Sequence, residues 1–203
     1  MGGIFALKVC VYAICKNESQ FADRFMDSMS EADYVCVLDT GSSDDTVKKL
    51  RARGAIVGET VVSPWRFDTA RNESLGLIPA DADICCAIDL DEQFHPGWRA
   101  ALERAWQPDT TRARYRYTWS FRPDGSEGMV FWADKIHKNG CYRWASPVHE
   151  TLAYTGEGAE RFVDAAGVQL DHHPDETKSR GQYLPLLELA VREDPQNDRN
   201  CHY

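Results

Sequence analysis

The run ADICCAID at positions 82–89 constrains this chain most, because the five residues 84–88 offer no polar side at all. A strand with one wet face alternates apolar and polar residues. A continuous apolar run instead fits a strand covered on both faces, the ordinary state of a parallel sheet flanked by helices. Three earlier β-rich runs also read as strands: ALKVCVYAI (6–14), ADYVCVLD (32–39) and GAIVGETVV (54–62). Between them lie helical segments. KNESQFADRFMDSM (16–29) spaces Phe21, Phe25 and Met29 four apart, with Asn17 in a capping position. TGSSDDTVKKLRARG (40–54) offers serine caps, Asp44 and Asp45 in the first turn, cations in the last and Gly54 as terminator, so its charges complement a helix dipole. FDTARNESLGLI (67–78) is a third helix. Strand and helix alternate, which predicts an α/β fold on a mostly parallel sheet with helices on both faces.

Beyond Trp98 the pattern changes. PGWRAALERAW (96–106) predicts a helix entered through Pro96, with Trp98, Ala101, Leu102 and Ala105 on one face. RARYRYTWSF (112–121) alternates Arg112, Arg114 and Arg116 with Tyr115, Tyr117 and Trp119, either as a half-buried strand or as an aromatic platform for an acceptor. GMVFWADKIHKNGCYRW (128–144) predicts a hairpin about Asn139-Gly140. SRGQYLPLLELAVRED (179–194) predicts a final amphipathic helix, which Pro185 starts no earlier than about Gly181 or Gln182, or kinks. The expected layout is one domain over 1–203: a nucleotide-binding half at about 6–106, a smaller antiparallel, aromatic-rich acceptor half at about 107–176, and a C-terminal helix at about 177–203.

The 203 residues carry a formal charge of −9, from 32 acids and 23 bases, with no basic stripe, which argues against a polyanionic partner. Seven cysteines without a CxxC spacing suit free thiols in a reducing compartment better than a disulfide framework or structural zinc. No run approaches the roughly 18 apolar residues of a membrane span, and the N-terminus lacks a signal pattern. A cytoplasmic protein without an integral membrane segment is expected.

In open parallel sheets ligands bind outside the carboxyl ends of the strands, and the acids of this sequence collect there. Asn17 and Glu18 follow the first strand, Asp39 ends the second, and Asp89 ends the fourth and opens DLDE (89–92). Turn and cap chemistry explains Ser42, Ser43, Asp44 and Asp45 but not Asp39, which precedes the turn. On an extended strand end, Asp89 and Asp91 would point the same way. Two converging carboxylates repel unless a cation lies between them, and all-oxygen ligands suit Mg²⁺ or Mn²⁺.

The segments AICKNES, VLDTGSSDDT, WRFDTARNESL and AIDLDEQF, in this order, resemble the inverting family 2 glycosyltransferases of the GT-A fold. PVHETL (147–152) and the segment from LDHHPDETK onward look like a subgroup with a KNE, DTGSxDxT, ARN, DxDE, HE layout. The resemblance implies a metal-dependent transfer of a sugar from a nucleotide diphosphate donor, UDP-sugars foremost, to a hydroxyl acceptor. That acceptor could be a protein, a saccharide, a lipid-linked glycan or a modified nucleobase. It implies that Asn17, Glu18, Asp39, Arg71, Asp89 and Leu90 line the donor site. Asp39 would accept from the base, and Arg71 would lie near the diphosphate, unless it is an exposed helix cation or a structural partner of Asp68. Asp91 would ligate the metal, Asp89 would face the ribose or reach the metal through water, and Glu92 would position the sugar or be solvated. Glu150 would be the general base in a semi-enclosed site formed with Trp144, Pro147 and Val148, with Asp134 and Asp171 as rivals. His149 and one of the late pair, His173 ahead of His172, are the remaining metal-ligand candidates. His95 and His137 are expected as a helix cap and a strand-surface residue. Two other expectations stay open: a sugar nucleotidyltransferase, although CKNES replaces the Gly-rich triphosphate loop, and a non-catalytic nucleotide-sugar or glycan-binding scaffold.

Overall fold

In the computed structural model, which describes residues 7–175 and 183–198, the apolar runs of the first half form a continuous parallel array. β1 (Val9–Cys15) is central, paired on one side with β2 (Tyr34–Asp39), which pairs with β3 (Ile56–Glu59), and on the other with β4 (Ile84–Ala87). The connections run through α1 (Ser19–Ser28), α2 (Thr46–Ala52) and α3 (Phe67–Leu75). Alternation along β1 accounts for coverage on both faces. Val9, Val11 and Ala13 join the main core with Phe25, Met29 and Leu50, while Cys10 and Tyr12 face a second core with Cys36, Cys85, Trp144 and Leu152. All six cysteines in the described residues are free, and five are buried.

After β5 (Glu92–Phe94) and α4 (Trp98–Ala105), the chain adds β6 (Arg112–Thr118), β7 (Val130–Lys138), β8 (Tyr142–Ala145), β9 (Thr151–Tyr154), β10 (Phe162–His172) and α5 (Tyr183–Glu193). The large sheet has eight strands in the order β3-β2-β1-β4-β7-β6-β10-β5, and β8 and β9 form a separate antiparallel pair. This is the architecture of a GT-A, Rossmann-like fold: a mostly parallel sheet flanked by helices, a small antiparallel sheet and a C-terminal helix. The predicted hairpin about Asn139-Gly140 does not form. Both edges of β7 are taken, by β4 and by β6, so β8 has no edge to pair with and crosses to the second core instead.

Three further differences are local. β10 lies beside β6, a strand that Asp164 and an interior Gly167 hide in the sequence. That glycine has a packing reason, since a Cβ there would stand 3.0 Å from the Ala101 Cβ of α4. Asp44 and Asp45 precede α2 instead of filling its first turn, and α4 starts at Trp98, behind a left-handed Gly97. In α5, Pro185 sits in the first turn, where its missing N–H costs nothing. The predicted start at Gly181 or Gln182 lies outside the described residues, as do the N-terminal residues of the first run and Cys201.

Candidate active site

The carboxyl ends of β1, β2 and β4 gather most of the predicted residues, but not always in the expected roles. Asp39, only 2% exposed, accepts from the backbone N–H groups of Gly41 (3.0 Å) and Ser42 (2.8 Å) and from the Ser42 hydroxyl. It therefore belongs to the turn itself and does not merely precede it, and its carboxylate shapes the loop. Asn17 sits at φ 53° and gives α1 no side-chain cap; its Oδ1 accepts from Ser43 N–H at 2.7 Å. Its own N–H donates to Ser42 Oγ, and Glu18 N–H donates to Thr46 Oγ1, both at 2.8 Å. The loops after β1 and β2 are thus stitched into one wall.

DLDE is a turn, closed by Glu92 N–H donating to Asp89 O at 3.0 Å, and not an extended strand end. Asp89 and Asp91 accordingly meet different cations. Arg71 Nη2 donates to Asp89 Oδ1 at 2.7 Å, and Lys135 Nζ stands 3.7 Å from Asp89 Oδ2. Burial opposes the charge on Asp89, yet Arg71 and Lys135 hold its carboxyl down at about 2. Leu90 turns wholly into the main core. Glu92 is not solvated: it is 2% exposed, accepts from Tyr117 Oη at 2.6 Å and from Asp89 N–H at 2.8 Å, and so braces the turn. Burial, with Asp89 close by, raises its carboxyl above the usual range.

Arg71 is the hub. It is 3% exposed, which disposes of the exposed-cation reading, and Asp68 pairs with Arg66 instead (2.8 Å). Arg71 Nε donates to Glu150 Oε1 at 2.8 Å, its guanidinium lies 5.1 Å from the Trp144 ring centroid, and its Nη1 is buried without a hydrogen-bond partner among the described residues. Glu150 arrives on the segment joining β8 to β9, where Ser146 (φ 80°) and His149 (φ 51°) both adopt left-handed backbone, an uncommon cost for side chains of this kind. The segment is clamped from three sides. Phe67 N–H donates to Pro147 O at 3.0 Å, Val148 packs with Leu186 and Ala190 of α5, and Asn72 exchanges two 2.9 Å hydrogen bonds with the Trp144 backbone. Asn72, the last letter of ARN, and Lys135 are site-building residues that the sequence reading missed. An asparagine within a helix and a lysine within a strand carry no sequence signal of such contacts.

The histidines separate clearly. His172 Nε2 lies 3.4 Å from Asp91 Oδ2, and its Nδ1 is 3.1 Å from Trp119 O. Burial pulls its pKa down, but Asp91 outweighs that and raises it. His173, the sequence favourite, instead stacks on Phe121 and contributes only its backbone N–H to Asp91 O at 2.8 Å. His149 lies against Tyr183 of α5, with ring centroids 6.3 Å apart. Asp134 pairs with Arg112 (3.1 Å) and Asp171 with His95 (2.7 Å), so both rivals to Glu150 are engaged elsewhere, and His95 is a partner of Asp171 and not the cap of α4, which is Gly97. His137 is not on a strand surface: it is 1% exposed and bonded to Tyr12 Oη at 2.8 Å. No group of three or more His, Cys, Asp or Glu side chains is arranged to hold a metal among the described residues. Asp91 and His172 offer one carboxylate and one imidazole nitrogen, a partial donor set that a divalent cation would complete with water and substrate phosphates.

No protein-family model matches the chain. Among solved structures it is similar to one described as a mycobacterial protein, with 16% identity over 85% of this chain and 69% of that one and a TM-score of 0.55, a likeness of fold. It also matches glucosyl-3-phosphoglycerate synthase from Mycobacterium tuberculosis in complex with Mn²⁺, UDP and glucosyl-3-phosphoglycerate. There the identity is 23%, the TM-score is 0.43, and the match spans 55% of this chain and only 44% of the synthase.

Proposed function

We propose that this chain is a metal-dependent inverting glycosyltransferase that moves a sugar from a nucleotide diphosphate, a UDP-sugar foremost, to a hydroxyl acceptor. The observation that carries this reading is the buried Arg71, which joins Glu150 to Asp89 at the carboxyl edge of the sheet while keeping Nη1 unpartnered. A desolvated guanidinium N–H with no acceptor is costly, and a diphosphate oxygen is the kind of group that would satisfy it.

In this reading the stitched loops bearing Asn17, Glu18 and Asp39 form the wall for the nucleoside. Asp91 and His172 would hold Mn²⁺ or Mg²⁺, whose charge, when the ion is bound, offsets that of the departing diphosphate. Asp89 keeps Arg71 and Lys135 in place, adding two fixed positive charges beside the same leaving group. Glu150 keeps Oε1 on Arg71 and takes the acceptor proton on Oε2. The acceptor oxygen then bonds to the anomeric carbon from the face opposite the diphosphate, which leaves with the electron pair of the broken bond.

The test is thermal unfolding with UDP, with and without Mn²⁺, followed by hydrolysis of a panel of nucleotide sugars. A shift from UDP that Mn²⁺ enlarges, and that Asp91→Ala no longer shows enlarged, is expected. An identical Mn²⁺ response in the variant removes Asp91 as a ligand, and tight binding with no turnover of any donor marks a binding protein instead of a transferase.

A further inference from the structure

Beside the DLDE turn lies a cleft of about 460 Å³ lined by Phe21, Arg24, Trp119, Phe121, His172 and His173, with Ser120 and Pro174. Three features of its walls point one way. Arg24 Nε and Nη2 are buried and have no hydrogen-bond partner among the described residues, and the guanidinium lies 5.1 Å from the Phe21 ring centroid. These two nitrogens are thus stripped of water with no hydrogen bond in exchange, an arrangement that becomes favourable when an acidic group meets them. Among the described residues no carboxylate side chain lines the cleft to do so, and Asp91, on the neighbouring turn, is engaged by His172. Finally, two large aromatics stand at the opening: Trp119, 40% exposed, stacks on His172 at 4.5 Å, and Phe121 is parallel to His173 at 5.2 Å. Exposed aromatic faces backed by a rigid second ring are suited to the flat side of a sugar or another ring.

We infer that this cleft is the acceptor subsite, and that the acceptor is a ring-bearing molecule with an acidic group, phosphate or carboxylate, which Arg24 binds. The word acceptor rests on the transferase reading above; the anion-binding cleft does not. A guanidinium fork matches the two oxygens of such a group, while the ring lies on Trp119 and Phe121 next to the turn that carries Asp91.

Glucose 6-phosphate, inorganic phosphate and uncharged glucose are the probes, titrated by calorimetry against the full chain and Arg24→Gln, alongside UDP with Mn²⁺. Saturable binding of glucose 6-phosphate is expected, tighter than that of phosphate or glucose alone, and weakened at least tenfold in Arg24→Gln while UDP binding is unchanged. Because Arg24 Nε and Nη2 have no hydrogen-bond partner among the described residues, the variant should melt no lower than the parent. Phe121→Ala, which leaves the charge in place, should weaken glucose 6-phosphate more than inorganic phosphate. The inference is overturned if glucose 6-phosphate binds no better than glucose, if Arg24→Gln binds it equally well, or if that variant is destabilised, since the guanidinium is then structural. It is also overturned if Arg24→Gln weakens UDP tenfold, because Arg24 then serves the donor. Should UDP fail to bind the parent chain while glucose 6-phosphate still binds through Arg24, the transferase reading falls and the acidic-ligand site stands.

Discussion

Replacing Arg71 with Met strands two acids at once, because Asp89 and Glu150 both turn toward its guanidinium. Removing one partner of a buried ion pair costs about 3–5 kcal/mol. Lys135 and solvent still reach Asp89, so the lower end, about 3 kcal/mol, is expected from urea midpoints. A loss under about 1 kcal/mol would mean that Lys135 and water already satisfy both carboxylates. Glu150→Gln is gentler, since an amide oxygen can still accept from Arg71. It should therefore fold normally and bind UDP as before, while turnover of the donor that the panel identifies falls roughly 10²–10⁴-fold. Unimpaired turnover would hand the role of base to another group. At this scale the quoted motifs bring Arg71, Asp89 and Glu150 into one ion-paired cluster, while Asp91, on the same turn, faces His172. Asp39 and Glu92 turn out to hold backbone, because a carboxylate's partners two or three residues away depend on whether the chain turns, and DLDE reads the same as a strand end or as a turn.

Among the elements, the parallel first half was legible because a doubly covered strand cannot hide its apolar run. The second half was less so. The residues about Asn139-Gly140 carry an ordinary hairpin signal, but which edge a strand finds depends on strands far away in sequence, and β4 and β6 already occupy β7. β10 was missed because Asp164 to Gly167 break its pattern where its register with β6 shifts. The junction that matters most for the site, α3 against β8, rests on Asn72 and the Trp144 backbone, and nothing in a single sequence marks that pair. Asn72→Ala removes both bonds, so a stability loss of about 1–3 kcal/mol is expected. The more telling measurement is local. Amide exchange at Trp144 should quicken well beyond the global loss of stability, since its N–H then has no acceptor from α3. Exchange that tracks only global unfolding would show that the second core, not Asn72, anchors β8.

The two sheets are joined by a buried polar chain, which gives the whole molecule a predictable response to acid. Trp144 Nε1–H donates to Tyr12 Oη at 3.0 Å, and Tyr12 Oη lies 2.8 Å from His137 Nε2, whose Nδ1 is 3.0 Å from Lys138 O. Burial lowers the His137 pKa to about 4 from an ordinary 6.5, so the ring is neutral at neutral pH. In the neutral ring Nδ1 carries the hydrogen that the Lys138 carbonyl accepts, and Nε2 accepts from Tyr12 Oη, which in turn accepts from Trp144. Between those two pKa values the unfolded chain binds a proton that the folded chain refuses, so this residue's contribution is complete above about pH 6.5 and disappears as pH falls toward 4, an effect on the order of 3 kcal/mol. The depressed carboxyl of Asp89, held at about 2, acts in a lower window: its contribution is present above about pH 4 and is lost only below that. Against the pull of burial, Asp91 raises His172 above the ordinary histidine value, and burial lowers His173 below it, so the absolute pH curve mixes several groups. The difference between the parent and His137→Gln isolates one of them. Glutamine can accept from Tyr12 but does not ionise. Its urea midpoint should therefore fall less than the parent's between pH 6.5 and 4, and the two curves should run parallel below that window. Parallel curves throughout would mean that water or a rearranged Tyr12 lets His137 take its proton inside the fold, and that the chain linking the two sheets opens more easily than its burial implies.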